Sequence, residues 1–104
     1  MDNEIKVLKL ITGEEIITGL TRAQSGTLLL ESPMSVKLAP PDSSGRIHLN
    51  LISWSLAGKT ESIILEAKNV LVILEPTSVI LSDYNSALSY EESAAETPTN
   101  VIKN

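Results

Sequence analysis

Glu4-Ile5-Lys6-Val7-Leu8-Lys9-Leu10, then Ile11-Thr12-Gly13-Glu14, then Glu15-Ile16-Ile17-Thr18-Gly19-Leu20-Thr21-Arg22, is the stretch that decides the class of fold. Successive side chains of a strand point to opposite faces, so the first run sets Ile5, Val7 and Lys9 on one side and Lys6, Leu8 and Leu10 on the other. Thr12-Gly13 supplies a turn, and the second run resumes with Ile16, Ile17 and Thr18. Gly19 inside that run marks a bulge or sharp bend, since glycine weakens a straight strand. The reading is a β-hairpin, and hence a mainly β protein.

The same signals continue outward. Gln24-Ser25-Gly26 makes the next turn, and a third strand begins at Thr27 to Leu30, is interrupted at Pro33 and continues through Val36 to Leu38. A proline cannot donate to a ladder, so Pro33 predicts an edge or a bend. Pro40-Pro41-Asp42-Ser43-Ser44-Gly45 has the turn-former density of an exposed loop. Arg46 to Leu56 then alternates Ile47, Leu49 and Leu51 against Arg46, His48 and Asn50, a period of two. Ala57-Gly58-Lys59 turns the chain back into Ser62 to Ala67. After Asn69 comes Val70-Leu71-Val72-Ile73-Leu74, an apolar run with no polar face, expected to be covered on both sides.

Pro76 ends that strand and the period changes. Over Thr77 to Leu88, Ile80, Tyr84, Ala87 and Leu88 share one face at helical spacing, with Thr77 or Ser78 as N-cap. The expected architecture is a five-stranded, strongly bent antiparallel sheet with one short C-terminal helix, in a domain covering residues 1–89. Residues 90–104 are small, acidic and Pro-containing and are expected to form a flexible tail.

At 104 residues the chain holds one hydrophobic core, because two would leave each half near the lower limit for folding alone. With no Phe, one Trp and two Tyr, that core is aliphatic. Eight basic against 13 acidic residues give a net charge of −5, so any nucleic-acid or membrane attraction must come from a local patch. The absence of cysteine excludes disulfides, thiolate metal sites and a cysteine nucleophile. The acidic start Met1-Asp2-Asn3-Glu4 is unlike a signal peptide, and a cytoplasmic protein is expected.

Motifs for catalysis are missing. His48 sits at a polar position of an alternating strand, with no second His or Cys to form a metal set. Glu14 and Glu15 are adjacent, so they point to opposite faces and cannot flank one substrate. Asp42-Ser43-Ser44-Gly45-Arg46 lacks the glycine spacing and lysine of a phosphate loop. Neither enzyme activity nor a cofactor or metal is expected. Trp54 reads first as a core filler or subunit contact and second as a stacking surface for a base.

Three segments taken in order resemble the Sm and Sm-like (LSm, Hfq-like) family. Val7 to Leu20, with its strand, turn glycine and bend glycine, resembles the opening of the Sm1 motif. Glu31-Ser32-Pro33-Met34-Ser35-Val36-Lys37-Leu38 looks like that motif's acidic residue, Met-Asn pair and apolar strand. Leu65-Glu66-Ala67-Lys68-Asn69-Val70 is similar to the Sm2 segment. The Gly-Glu-Glu and Leu-Glu-Pro signatures further resemble a divergent branch seen in Sm-like proteins of marine cyanophages. The departures are Pro33 and Ser35 where the family has its base-stacking aromatic and base-reading Asn, and Glu66-Ala67 in place of Arg-Gly.

The resemblance implies a small barrel that assembles into a homo-oligomeric ring of five to seven subunits. The fourth strand of one subunit, within Arg46 to Ala67, would pair with the fifth strand of its neighbour, so Val70, Leu71, Val72, Ile73 and Leu74 would form the interface. It implies RNA or another single-stranded nucleic acid as ligand, with Met34, Ser35, Lys68 and Asn69 as binding residues. The altered pocket raises a second function, a protein-binding or virion-associated scaffold ring in the cytoplasm of a host cell. Convergence or scatter of Lys37, Arg46, Lys59 and Lys68 separates the two.

Overall fold

A computed structural model describes residues 4–22, 25–46, 48–55 and 57–96, with side chains of the last stretch described through Ser89. Six strands and one helix follow in the order β1 Glu4–Leu10, β2 Glu15–Arg22, β3 Thr27–Ala39, β4 His48–Ser53, β5 Ser62–Glu66, β6 Val70–Leu74 and α1 Ser78–Glu96. A 3-10 turn, Ala67–Asn69, joins β5 to β6. Every pairing is antiparallel, and the sheet runs β4-β3-β2-β1-β6 with β5 also on β3.

The β1–β2 hairpin forms where the turn residues lie. Gly13 adopts φ 96°, a left-handed conformation open to glycine, and its N–H donates to the Leu10 carbonyl at 2.8 Å. The bend expected at Gly19 and Pro33 is one feature. Ile17 pairs with Met34 and Gly19 with Glu31, so Ser32 and Pro33 on β3 oppose Thr18 alone. That surplus residue is a β-bulge, and it bends the strand that carries it. Ser32 sits at φ 52° to make the corner.

The bend splits β3 into two arms with different partners. Thr27 to Glu31 pair with β5, and Met34 to Ala39 pair with β4. Instead of five continuous strands, the return path along β3 is therefore broken into β4 and β5. Ile47 and Leu56, the ends of the alternating segment, lie outside the described residues.

Instead of the single core expected from the length, alternation along β1 supplies two clusters, one on each face of the same sheet. Leu8, Leu10, Ile16, Leu20, Leu28 and Leu30 form the inner cluster, with Trp54, Ile63, Leu65 and Val70 packed against it. Val7, Ile17 and Met34 form the outer cluster together with Ile80 and Tyr84 of α1, and Ala87 and Leu88 pack at its rim. The helix begins where expected: Thr77 Oγ1 accepts from the Ile80 N–H at 3.3 Å, as an N-cap does. It ends later, at Glu96 rather than near Leu88. Of the tail expected over 90–104, residues 90–96 continue α1, and residues 97–104 lie outside the described residues.

β6 and the β4/β5 path are the two ends of the sheet and do not pair with each other, so the sheet is open rather than closed into a barrel. The apolar run of β6 is not covered within the chain. Leu71, Val72, Ile73 and Leu74 are 63%, 44%, 37% and 46% exposed. The reason is that α1 crosses the outer faces of the other strands, where Val7, Ile17, Met34, Val36 and Leu51 receive it, and leaves the β6 edge bare.

Candidate functional site

The residues singled out for nucleic acid fall into two groups. Met34 and Ser35 belong to the far arm of β3, paired with Ile17 and Ile16 on one side and with Ser53 and Ile52 on the other. Both are buried, at 3% and 4% exposure. Met34 packs with Val7, Ile17, Ile80 and Tyr84 in the outer cluster, and β3 is paired on both edges at these two positions. Lys68 and Asn69 lie in the 3-10 turn, Lys68 exposed and Asn69 half-buried, with the Asn69 carbonyl accepting from Ile11 N–H at 2.9 Å.

The structure brings to that turn a different partner. The Ala67 N–H donates to the Gly26 carbonyl at 2.9 Å, and Thr27 pairs with Glu66. Lys68 therefore lies beside the turn at Gly26, while Asn69 is held to Ile11. Sequence reading took Gln24-Ser25-Gly26 as a turn and no more. The signal that would have found this corner is the register of β5 against β3.

The four cations whose convergence or scatter separates the two functions lie on different elements. Lys37 pairs with Asn50 on the far arm, and Arg46 lies in the loop just beyond it. Lys59 borders a cavity of about 230 Å³ at the corner, beside Ser32, Pro33, Met34, Ser53 and Thr60. Lys68 is at the opposite end. They scatter. Two further lysines carry carboxylate partners: Lys9 faces Glu15 at 3.5 Å, and Lys6 bonds to Glu75 and lies 3.4 Å from Glu4.

Trp54 fills the core and adds a polar tie. It packs on the inner cluster, its backbone N–H donates to the Pro33 carbonyl, and its Nε1 donates to Glu14 Oε2 at 3.2 Å. Glu15 meanwhile pairs with Lys9, so the two adjacent carboxylates serve opposite faces. His48 is half-exposed, with Nε2 3.0 Å from Asp42 Oδ2. The Asp42 carboxylate also accepts from the N–H groups of Ser44 and Arg46 and from the Ser44 hydroxyl. These bonds, His48 first, hold the Asp42 carboxyl below the usual carboxylate range.

Among the described residues, no three His, Cys, Asp or Glu side chains cluster to hold a metal, and no helix is long and apolar enough to cross a membrane. The most continuous unexplained surface is apolar. Leu71 to Leu74 mark one edge of the sheet, while Ile52 and Ile64, 45% and 69% exposed, mark the other. Comparison with protein-family models and with curated proteins finds no match to this chain.

Proposed function

We propose that this chain is a non-catalytic, self-assembling subunit that forms a homo-oligomeric ring of the Sm-like kind and works as a binding scaffold. The observation that carries the reading is the open sheet with two apolar edges. An uncovered, uncharged strand such as β6 is a template for pairing with another chain, and soluble proteins protect such edges. Pairing β6 of one copy with the β4/β5 edge of the next satisfies both edges at once. The contact joins two different surfaces, so it propagates around a ring until it closes. Five to seven copies are the expected size from the family resemblance.

A scaffold is favoured over an RNA carrier because Met34 and Ser35 are buried and the lysines scatter. Nucleic-acid binding keeps one specific support, the corner where the turn at Gly26 is bonded to Ala67 beside Lys68. In a ring that corner would repeat in every subunit, but Glu66 contributes an opposing charge beside each Lys68.

Light scattering coupled to size exclusion on the full chain tests assembly. Several copies per particle at micromolar concentration are expected, and a stable monomer would overturn the ring. Binding of a single-stranded oligonucleotide measured against salt separates the two roles. Real phosphate contacts give a linear fall of log affinity with log salt.

A further inference from the structure

We infer that the cavity at the corner of β3 is a binding site for a small zwitterion, a free α-amino acid, formed within a single subunit and independent of the ring reading above. The cavity holds about 230 Å³ and is walled by Ser32, Ser53, Gly58, Lys59, Thr60 and Glu61, with Pro33 and Met34 completing it. Liquid water takes roughly 30 Å³ per molecule, so the space suits a ligand of about seven or eight non-hydrogen atoms rather than a polymer.

The walls are fixed by the fold itself. The Ser32 N–H donates to the Glu61 carbonyl at 3.1 Å and the Trp54 N–H to the Pro33 carbonyl at 3.2 Å, which pins Glu61 and Trp54 to the corner. Ser55 Oγ accepts from the Ala57 and Gly58 N–H groups at 3.2 and 2.9 Å, holding the backbone just before Lys59. Ser32 sits at φ 52°, a conformation that strains a serine and costs glycine nothing. Its hydroxyl bonds to no described residue. A strained residue whose side chain serves nothing in the fold is one held for a ligand.

Hydroxyl protons set the polarity of that ligand. Ser53 Oγ donates its one proton to the Ser55 carbonyl at 3.1 Å, so in the 3.3 Å contact between Ser53 and Thr60 the Thr60 hydroxyl is the donor. Thr60 Oγ1 is left to accept, in the same cavity as the Glu61 carboxylate, while Ser32 offers a hydroxyl proton and Lys59 an ammonium. Neither Lys59 nor Glu61 has an ion pair among the described residues. An amino acid answers all four groups: its ammonium meets Glu61 and Thr60, and its carboxylate meets Lys59 and Ser32. A phosphate would face the Glu61 charge, and a neutral sugar would leave both charges unpaired.

Full-length isotope-labelled protein is titrated with L-serine, L-threonine and L-valine and followed by its amide shifts. At least one should give saturable shifts at Ser32, Gly58, Lys59, Thr60 and Glu61. Losing one charge-assisted contact should weaken binding by about tenfold, in Lys59→Gln and Glu61→Gln and equally in the N-acetyl and amide derivatives of the same amino acid. Both substituted side chains are exposed, so the variants should keep the β1 and α1 shifts of the wild type. Absence of shifts with all three amino acids at millimolar concentration overturns the assignment, as does equal binding of the single-charge derivatives or of inorganic phosphate. The cavity lies within one subunit, so binding is expected whether or not the chain assembles.

Discussion

The Tyr84 hydroxyl lies 2.9 Å from the Ser32 carbonyl oxygen and 3.1 Å from that of Glu31, so the helix is tied directly to the corner of β3. The bulge takes Ser32 out of the regular ladder, and the Thr18 hydroxyl also donates to the Glu31 carbonyl, at 3.1 Å. Tyr84 is 1% exposed, and it fills the outer core and serves the corner with one side chain. Tyr84→Phe keeps the ring and removes the bond, at an expected cost of about 1 kcal/mol. Tyr84→Ala also empties the site, and should cost roughly 3–5 kcal/mol. Urea unfolding of both variants measures the two; equal losses would mean that the hydrogen bond is the whole of Tyr84's contribution, and no loss in Tyr84→Phe would mean that packing is.

Val72 gives a test that separates folding from assembly. In one subunit its side chain is 44% exposed, so a charge there should change subunit stability by only about 0.5 kcal/mol. In the assembled protein the same charge would sit in a covered strand, where an unpaired ion is expensive. Val72→Glu is therefore expected to give a folded monomer, seen as an unchanged far-UV spectrum with a smaller mass by light scattering. A variant that still assembles would show that β6 is not the contact.

Charge reversal distinguishes the corner at Lys68 from the rest of the basic residues. Any oligonucleotide affinity present at low salt should be lost in Arg22→Glu/Lys68→Glu and kept in Lys37→Ala/Arg46→Ala. Each phosphate contact removed lowers the salt slope by about 0.7 for a single strand. Equal losses in the two pairs, read by fluorescence anisotropy across a salt series, would point to unspecific attraction.

The loop at Asp42 should respond to acid in a defined direction. Its carboxyl is held below the ordinary range in the folded chain, so the unfolded chain takes up the proton first as pH falls. The stabilising contribution is present above the ordinary carboxylate pKa of about 3.9 and is lost progressively as pH drops below it toward the folded value. In an NMR titration the Ser44 and Arg46 amides should hold their shifts down to about pH 4 and move below it, following protonation of the carboxylate they bond. His48→Ala should raise the Asp42 titration toward the ordinary value. An Asp42 that titrates normally in wild type would count against the His48 contact in solution.

Local features were legible from the chain alone. Gly13 and Ser25-Gly26 turn where glycine's freedom at positive φ allows, Thr77 caps the helix it precedes, and Ile80 and Tyr84 face the sheet because helical spacing puts them on one side. The bend was legible too, since Gly19 and Pro33 both weaken a straight ladder and the bulge lies between them in the register. Each of these depends on interactions within a few residues.

The candidate site depends on distant pairings, which a linear reading does not show. Met34 and Ser35 look available in a linear reading, but Ile17 on one side and Ser53 on the other enclose them. Lys68 looks like their neighbour, yet the register of β5 on β3 carries it to Gly26 at the other end of the strand. The same holds for β6: its apolar run is written in residues 70–74, while its exposure follows from where α1 lies down. By itself, then, the sequence determined the strands, turns, helix cap and position of the bend, because these follow from backbone preferences and side-chain period. Which faces are covered, which residues meet at the Lys68 corner and which edges stay open were decided by the tertiary structure, because register and helix docking depend on contacts between residues far apart along the chain.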